Sequence, residues 1–192
     1  MLKVWTPPDV GVAVLSLMNS GNQIIHMTKN PSAITAYRPC VGVMLLNRDG
    51  LVWMGRRFEK QNDDGVGKWW QMPQGGIDKG EEPQAAALRE LYEETAVRSA
   101  RVIVEMPGWL KYDLPENLIG KSWGGKYRGQ TQKWFAMEFL GEDSEINLNP
   151  PGHKQEFDQW TWMTMDEALD AVVPFKKAVY VEMIRALRHL GR

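Results

Sequence analysis

The stretch that decides the fold reads Gln71-Met-Pro-Gln-Gly-Gly-Ile-Asp-Lys-Gly-Glu81-Glu-Pro-Gln-Ala-Ala-Ala-Leu-Arg-Glu90-Leu-Tyr-Glu-Glu-Thr-Ala-Val97. A loop rich in proline and glycine leads into a run of strong helix formers, and Pro83 stands where a first helical turn tolerates a missing N–H. The stretch therefore predicts a loop, a helix and a second loop.

One face of the predicted helix is acidic. At about 100° per residue, Glu90, Glu93 and Glu94 fall on the same face, while Leu88 and Leu91 turn with the alanines towards a core. Like charges at this spacing repel each other, so the helix needs something that offsets the repulsion. Mg²⁺ can do so, because it takes oxygen ligands and bridges carboxylates to substrate phosphates.

Two glycines lie just upstream of these acids. Gly75 and Gly76 let the backbone approach a ligand or a metal without a Cβ in the way. The ordinary alternative is a solvated acidic helix face, with Arg89 as a local ion-pair partner. The two glutamates alone do not decide between these interpretations, but the full spacing of the stretch favours the first.

Residues 75–97 follow the spacing Gly-x5-Glu-x7-Arg-Glu-Leu-x-Glu-Glu-x-x-Val, which resembles the box of the Nudix hydrolases. The one departure is Ala96, where the family pattern has glycine. In the family pattern the glycine at this position closes the helix in a left-handed conformation, and that conformation costs an L-residue such as alanine roughly 1 kcal/mol. The change leaves every carboxylate in place, so it concerns the geometry of the helix end and not the chemistry.

The rest of the chain alternates short strands and loops before a helical C-terminus. Residues 40–46 and 51–54 flank turn-forming residues 47–50 and predict a hairpin. Further strands are predicted at 101–105, 109–112, 133–140 and 159–163, with polar loops at 61–68, 113–130 and 141–154. Thr164 and Glu167 have the form of a capping box. The pattern predicts an α+β fold, and the resemblance implies the Nudix α/β/α sandwich with a mixed β-sheet.

Composition describes an ordinary globular protein of 192 residues, 43% hydrophobic, with a net charge of -1. This length predicts one domain with a sizeable core. The single cysteine, Cys40, excludes an intramolecular disulfide and sits in an apolar run, which favours core packing and fits a cytoplasmic location. Near-neutral charge means that any nucleic-acid contact must come from a local basic patch.

The chain divides into an N-terminal extension, residues 1–34, and a Nudix hydrolase domain, residues 35–192. An apolar run at 10–18 resembles a secretory signal only weakly, because Pro7, Pro8 and Asp9 interrupt its start and no Ala-x-Ala-like site follows. It is also too short to span a bilayer, so no membrane association is expected. The extension is either a loosely ordered tail or the product of a start assigned too far upstream, with Met27 as the true start.

Within the family, the chain is similar to bacterial RNA pyrophosphohydrolases and their relatives that hydrolyse dinucleoside polyphosphates. The matching pieces cover nearly all of residues 37 to 180 and include Tyr37-Arg-Pro39, Gly55-Arg-Arg-Phe58, Trp70-Gln-x-Pro-Gln-Gly-Gly76, Gly129-Gln-x-Gln-Lys-Trp-Phe135 and Glu156-Phe-Asp-x-Trp160. In that branch a glutamate outside the box completes the metal shell, and Glu156 matches it. The resemblance also implies a substrate-binding set of Arg38, Arg57, Tyr112, Gln132, Lys133, Phe175 and Lys176.

The resemblance implies two or more Mg²⁺ or Mn²⁺ ions, held by Glu93, Glu94, Glu156 and a backbone carbonyl near Gly75. Catalysis is assigned to Glu90, as the base that takes a proton from water, together with Arg89. Attack on a phosphorus atom then releases pyrophosphate, or successive phosphates, and leaves a 5′-monophosphate.

Three functions fit this pattern. The first is an RNA 5′-pyrophosphohydrolase acting on triphosphorylated RNA, and the second is a hydrolase of diadenosine tetraphosphate or similar free dinucleotides. The third is a Nudix-shaped binding module without catalysis. The complete set of box carboxylates argues against the third, because a pure binder has no use for a cluster of acids that repel each other.

Overall fold

A computed structural model describes residues 34–57 and 69–192. The predictions for residues 1–33 and for the loop at 61–68 lie outside these ranges. The described part forms one layered domain, built from strands β1 to β8 and helices α1 to α3. The strands are β1 (Tyr37–Leu46), β2 (Val52–Arg57), β3 (Trp70–Gln71), β4 (Gln74–Gly76), β5 (Ala100–Glu105), β6 (Leu110–Asp113), β7 (Gly129–Phe139) and β8 (Phe157–Met163), and the helices are α1 (Pro83–Thr95), α2 (Met165–Ala171) and α3 (Lys177–Leu187).

The described strands form a single mixed sheet in the order β3-β2-β1-β7-β5. Its centre is the parallel pair β1 and β7, in register from Tyr37 opposite Gly129 to Leu46 opposite Glu138. Strand β4 runs antiparallel to β1, β6 antiparallel to β7, and β8 antiparallel to β2. The predicted mixed sheet is therefore confirmed.

Alternation along β1 divides the core into two layers. Val41, Val43 and Leu45 pack with Leu91 of α1, whereas Met44 points to the other face, where helices α2 and α3 cover the sheet. The result is the predicted α/β/α sandwich. Among the described residues, every helix is too short or too polar to cross a lipid bilayer.

The predicted hairpin forms a turn but little pairing. Asn47 accepts backbone N–H groups from Asp49 and Leu51 through its side chain, as turn chemistry requires. Strands β1 and β2, however, are in register only at Leu46 opposite Val52. Nearer its first residue, β1 pairs with β4 and not with β2. This change of pairing partner brings the box loop to the centre of the sheet.

Helix α1 confirms most of its prediction. Pro83 opens it, and Ala96 ends it with φ 63 and ψ 0, donating its N–H to the Tyr92 carbonyl at 2.7 Å. The prediction for Leu88 was wrong, because its side chain is 39% exposed while Leu91 is fully buried. The buried stripe of α1 continues instead through Ala86, Ala87 and the carboxyl-bearing Glu94.

Candidate active site

Arg89 ties the glycine loop to helix α1. Its guanidinium makes a bidentate pair with Glu81, at 2.8 Å for each bond, and donates to the Gly76 carbonyl at 2.8 Å. Hydrogen bonding from Arg89 lowers the pKa of Glu81 to about 2, so this pair stays charged at neutral pH. The same guanidinium bonds Glu90 at 2.8 Å and lies 3.4 Å from Glu93. These contacts join the glycine loop to the acidic face of helix α1 through one guanidinium.

Glu90 lies directly against the backbone of Gly75. A Cβ at position 75 would overlap the Glu90 carboxyl group. Burial raises the pKa of Glu90, although the hydrogen bond and charge of Arg89 oppose that rise. The loop and the helix are thus in contact at the two residues that the box pattern requires to be Gly and Glu.

Glu94 is the most buried acid of the site, with 4% of the residue exposed. One carboxylate oxygen accepts the Gln74 N–H at 2.9 Å. Burial, followed by the negative charge of Glu156, raises the pKa of Glu94 well above its ordinary value. A carboxylate in this position needs a nearby cation if it is to be charged at neutral pH.

Four carboxylates line one cavity of about 850 Å³, together with arginine and lysine side chains and aromatic rings. Glu156, ahead of β8, lies 3.4 Å from the Arg57 guanidinium. The predicted site residues that line the cavity are Gly75, Glu90, Glu93, Glu94, Glu156, Arg38, Arg57, Tyr112, Phe175 and Lys176. Residues from β1, β2, β4, α1, β6 and the segment before α3 therefore meet at a single site.

Gln132 and Lys133 do not line the cavity. Gln132 is buried behind it and donates its amide N–H to Gln130 at 2.9 Å and Gln74 at 3.2 Å. Lys133 points to the opposite face of β7, where its ammonium lies 2.7 Å from Glu105. Adjacent residues of a strand face opposite sides, so only one of the two can approach the cavity side.

Other lining residues had no role in the sequence prediction. His153 lies with Nδ1 3.9 Å from Glu93 and with its ring edge-on to Tyr92, and Lys154 follows it in the cavity wall. Their position shortly before Glu156 is the only signal in the sequence that could have indicated them. Trp123, in the predicted loop 113–130, also lines the cavity, and no local pattern marks it.

Two aromatic rings and a buried lysine also line the cavity. The rings of Tyr112 and Phe175 are 5.6 Å apart, and Lys176 lies with Nζ 5.7 Å from the Tyr112 ring. Lys176 donates to the side-chain oxygen of Gln71 at 2.9 Å. Burial, together with the charge of Arg57, lowers the pKa of Lys176 to about 7. This ammonium is therefore poised to gain from an anionic ligand.

Lys176→Met should stabilise the metal-free protein at neutral and acidic pH. Because the folded-state pKa of Lys176 is below its unfolded value, the wild type bears the cost of burying the charge below about pH 7 and loses that cost as the pH rises towards 10.5. The gain from the substitution should be on the order of 5 kcal/mol at pH 6 and vanish near pH 10.5. Urea unfolding in EDTA at pH 6, 8 and 10 measures it, and a gain independent of pH would contradict the prediction.

The donor set fits hard divalent cations. Within the described residues, no group of three or more acidic, histidine or cysteine side chains is placed closely enough to hold a metal ion without other ligands. The cavity nevertheless gathers the carboxylate oxygens of Glu90 and Glu94, and burial raises the pKa of both groups. The protein therefore places too little positive charge around these carboxylates to offset their own negative charge. Oxygen ligands in an open, acidic cavity suit Mg²⁺ and Mn²⁺ better than softer metals.

An acidic loop–helix–loop that opens onto a cavity lined by cationic and aromatic side chains is the arrangement expected of a hydrolase of phosphoric anhydrides. A family model described as the NUDIX domain matches residues 36–183. The chain belongs to the Nudix family, which generally uses divalent metals.

Several relatives carry the name RNA pyrophosphohydrolase, two of which are compared with this chain. One, from Mesorhizobium japonicum, is 55% identical over 160 residues, which cover 81% of this chain and 92% of that protein. The other, from Brucella anthropi, is 57% identical over 158 residues, covering 80% and 91%.

Solved structures agree on the fold. The Escherichia coli dihydroneopterin triphosphate pyrophosphohydrolase matches with a TM-score of 0.58 at 19% identity, over 78% of this chain and 97% of that one. A MutT protein from Methanosarcina mazei Go1 matches with a TM-score of 0.56 at 16% identity, over 78% and 94%.

Proposed function

We propose that the chain is an RNA 5′-pyrophosphohydrolase, which removes pyrophosphate from triphosphorylated RNA and leaves a 5′-monophosphate end. Such an enzyme acts in the cytoplasm and promotes RNA decay. The observation that carries the proposal is that four carboxylates line the same cavity as arginine, lysine and aromatic side chains. The names of the two relatives support the same substrate.

Glu93, Glu94, Glu156 and the Gly75 carbonyl would hold two or more Mg²⁺ or Mn²⁺ ions. When bound, such ions neutralise phosphate oxygens and lower the pKa of a bound water. The buried position of Glu94 and the opening of Glu156 onto the same cavity support this ligand set.

Glu90 is the proposed general base. It takes one proton of the attacking water, the water oxygen forms a new bond to phosphorus, and the anhydride P–O bond breaks so that pyrophosphate leaves. The Arg89 hydrogen bond at 2.8 Å and the bare Gly75 backbone hold the Glu90 carboxylate in one place. Correct placement of the base supplies much of its value, because a misplaced carboxylate cannot reach the water.

The remaining lining residues bind the substrate in this proposal. Arg38 and Lys176 neutralise phosphate oxygens. Arg57, Tyr112 and Phe175 provide planar groups on which a base of the RNA stacks, which is worth about 1–3 kcal/mol. Gln132 does not reach the substrate itself, but its hydrogen bonds orient the side chains of Gln74 and Gln130, which line the cavity.

A direct comparison of substrates tests the proposal. Triphosphorylated RNA and diadenosine tetraphosphate are supplied at equal concentration with Mg²⁺, and the initial rates are measured. Faster hydrolysis of the RNA is expected, with pyrophosphate or phosphate and a 5′-monophosphate end as products. Preference for diadenosine tetraphosphate would contradict the proposal and assign the chain to free dinucleotides.

Phe175→Ala should weaken turnover of triphosphorylated RNA about tenfold, the value of one stacked base, and leave GTP hydrolysis nearly unchanged. An oligonucleotide has a downstream base to stack on Phe175, whereas GTP does not. Steady-state rates with both substrates measure the effect. Arg57→Ala should act likewise, but it also frees Glu156, so Phe175 is the cleaner test.

Phe175→Leu is the matched control, because it keeps apolar packing against the core and removes only the ring. Equal loss of both activities in Phe175→Ala, with a normal melting temperature, would exclude RNA stacking as its role. A lowered melting temperature with recovery in Phe175→Leu would instead assign Phe175 to packing.

A further inference from the structure

Arg38 differs from its neighbours in the cavity. Arg57 is paired with Glu156, and Lys176 is bonded to Gln71. Arg38, by contrast, has no ion-pair partner among residues 34–57 and 69–192. An unpaired guanidinium on a cavity wall gains most from a phosphate, but only if its position is fixed before the substrate arrives.

One side of the Arg38 guanidinium is set by a glycine. Gly76 lies opposite Cys40 in the β1–β4 pair, and the Arg38 side chain folds over it. A Cβ at position 76 would overlap the guanidinium. The missing side chain therefore leaves the space beside the strand backbone that the Arg38 guanidinium occupies.

Trp123 lies near the same guanidinium. The Arg38 Cζ lies 5.8 Å from the centre of the indole ring, within the range of a cation–π contact. Trp123 is half-buried and packs against the core cluster on the α2 and α3 side of the sheet. The ring is thus supported from behind and presents one face to Arg38.

The loop that carries Trp123 is shaped to deliver it. Trp123 has φ 50 and ψ 39, and among the described non-glycine residues only Ala96 shares a positive φ. The loop is closed by a hydrogen bond from the Leu114 N–H to the Arg128 carbonyl at 2.7 Å. A bulky residue kept in a left-handed conformation by an anchored loop is typical of a functional constraint.

We propose that Gly76 and Trp123 form a clamp that holds the guanidinium of Arg38 against the polyphosphate of the substrate. In this arrangement Trp123 is a positioning residue, which acts through Arg38 and has no contact of its own with a base. The inference rests on the proposed function, since it assigns a role in binding the 5′ phosphates.

A double-mutant cycle tests the clamp. Trp123→Leu and Gly76→Ala should each raise KM for triphosphorylated RNA about fivefold, with kcat changed less than about twofold, because they loosen a binding cation. Trp123→Phe should recover most of the loss. In an Arg38→Ala background, neither substitution should raise KM further. Trp109→Leu, which replaces an exposed tryptophan outside the cavity, is the control and should leave KM unchanged.

The same fivefold effect of Trp123→Leu in the Arg38→Ala background would overturn the clamp, and so would an unchanged KM for Arg38→Ala alone. Melting curves on all variants distinguish a loss of overall stability, which lowers the melting temperature, from a loss of Arg38 positioning, which raises KM at an unchanged melting temperature. If the wild type prefers diadenosine tetraphosphate, the proposed function fails, and the cycle is measured on that substrate, whose phosphates the clamp would hold in the same way.

Discussion

Glu94→Gln should lose activity by about 100-fold or more, equivalent to roughly 3 kcal/mol of the barrier, at saturating Mg²⁺. The change keeps the volume and the bond from the Gln74 N–H but removes a charge from the proposed ligand set. Glu93→Gln should behave alike. Steady-state hydrolysis of triphosphorylated RNA measures both variants.

Glu94→Gln should lose activity without losing stability. Because burial raises the folded-state pKa of Glu94, the carboxylate destabilises the metal-free protein once the pH exceeds the ordinary pKa of glutamate. The neutral glutamine avoids this cost, so its melting temperature in EDTA at pH 8 should equal or exceed that of the wild type.

Glu82→Gln is the matched control. Glu82 is an exposed acid immediately before helix α1, outside the cavity, and its substitution should leave turnover unchanged. Near wild-type turnover in Glu93→Gln or Glu94→Gln would show that the metal assignment is wrong.

Gly75→Ala should reduce kcat by about 100-fold with little loss of stability. The new methyl group would overlap the Glu90 carboxyl, which is the movable end of a side chain, so the chain can relax by displacing the proposed base. Rates on RNA, together with a melting curve, measure the two effects separately.

Combining Gly75→Ala with Glu90→Gln tests whether displacement of Glu90 causes the loss of kcat. If the alanine acts by displacing Glu90, the double variant should be no slower than Glu90→Gln alone. Additive losses would exclude this cause. Gly108→Ala is a control for backbone strain, because Gly108 has φ +76 and an added Cβ would meet no atom within 4 Å, so activity should persist while stability falls.

The helix of the box was predictable because its pattern is local. The spacing of Glu90, Glu93 and Glu94 places them on one face of any α-helix, and the left-handed end at Ala96 follows from the position where the pattern stops. Leu88 was misplaced because burial depends on which neighbours cover a face, and α1 presents only part of its apolar side to the sheet.

The proposed metal and substrate residues far from the box could be named only from a family resemblance. Glu156 is an ordinary loop acid when seen alone, and it joins Glu94 only because β8 pairs with β2. Gln132 and Lys133 were assigned together, yet the strand pleat sends Lys133 away from the cavity to Glu105.

The sequence by itself determined the family and the acidic face of helix α1, because each depends on the spacing of residues within a few helical turns, and the α/β/α architecture followed from the family resemblance. The tertiary structure alone decided that Gly75 packs against Glu90, that Trp123 covers Arg38 and that His153 approaches Glu93. These contacts join residues between 15 and 85 positions apart. Their geometry follows from the parallel pairing of β1 with β7 and the insertion of β4 beside them, which no local periodicity records.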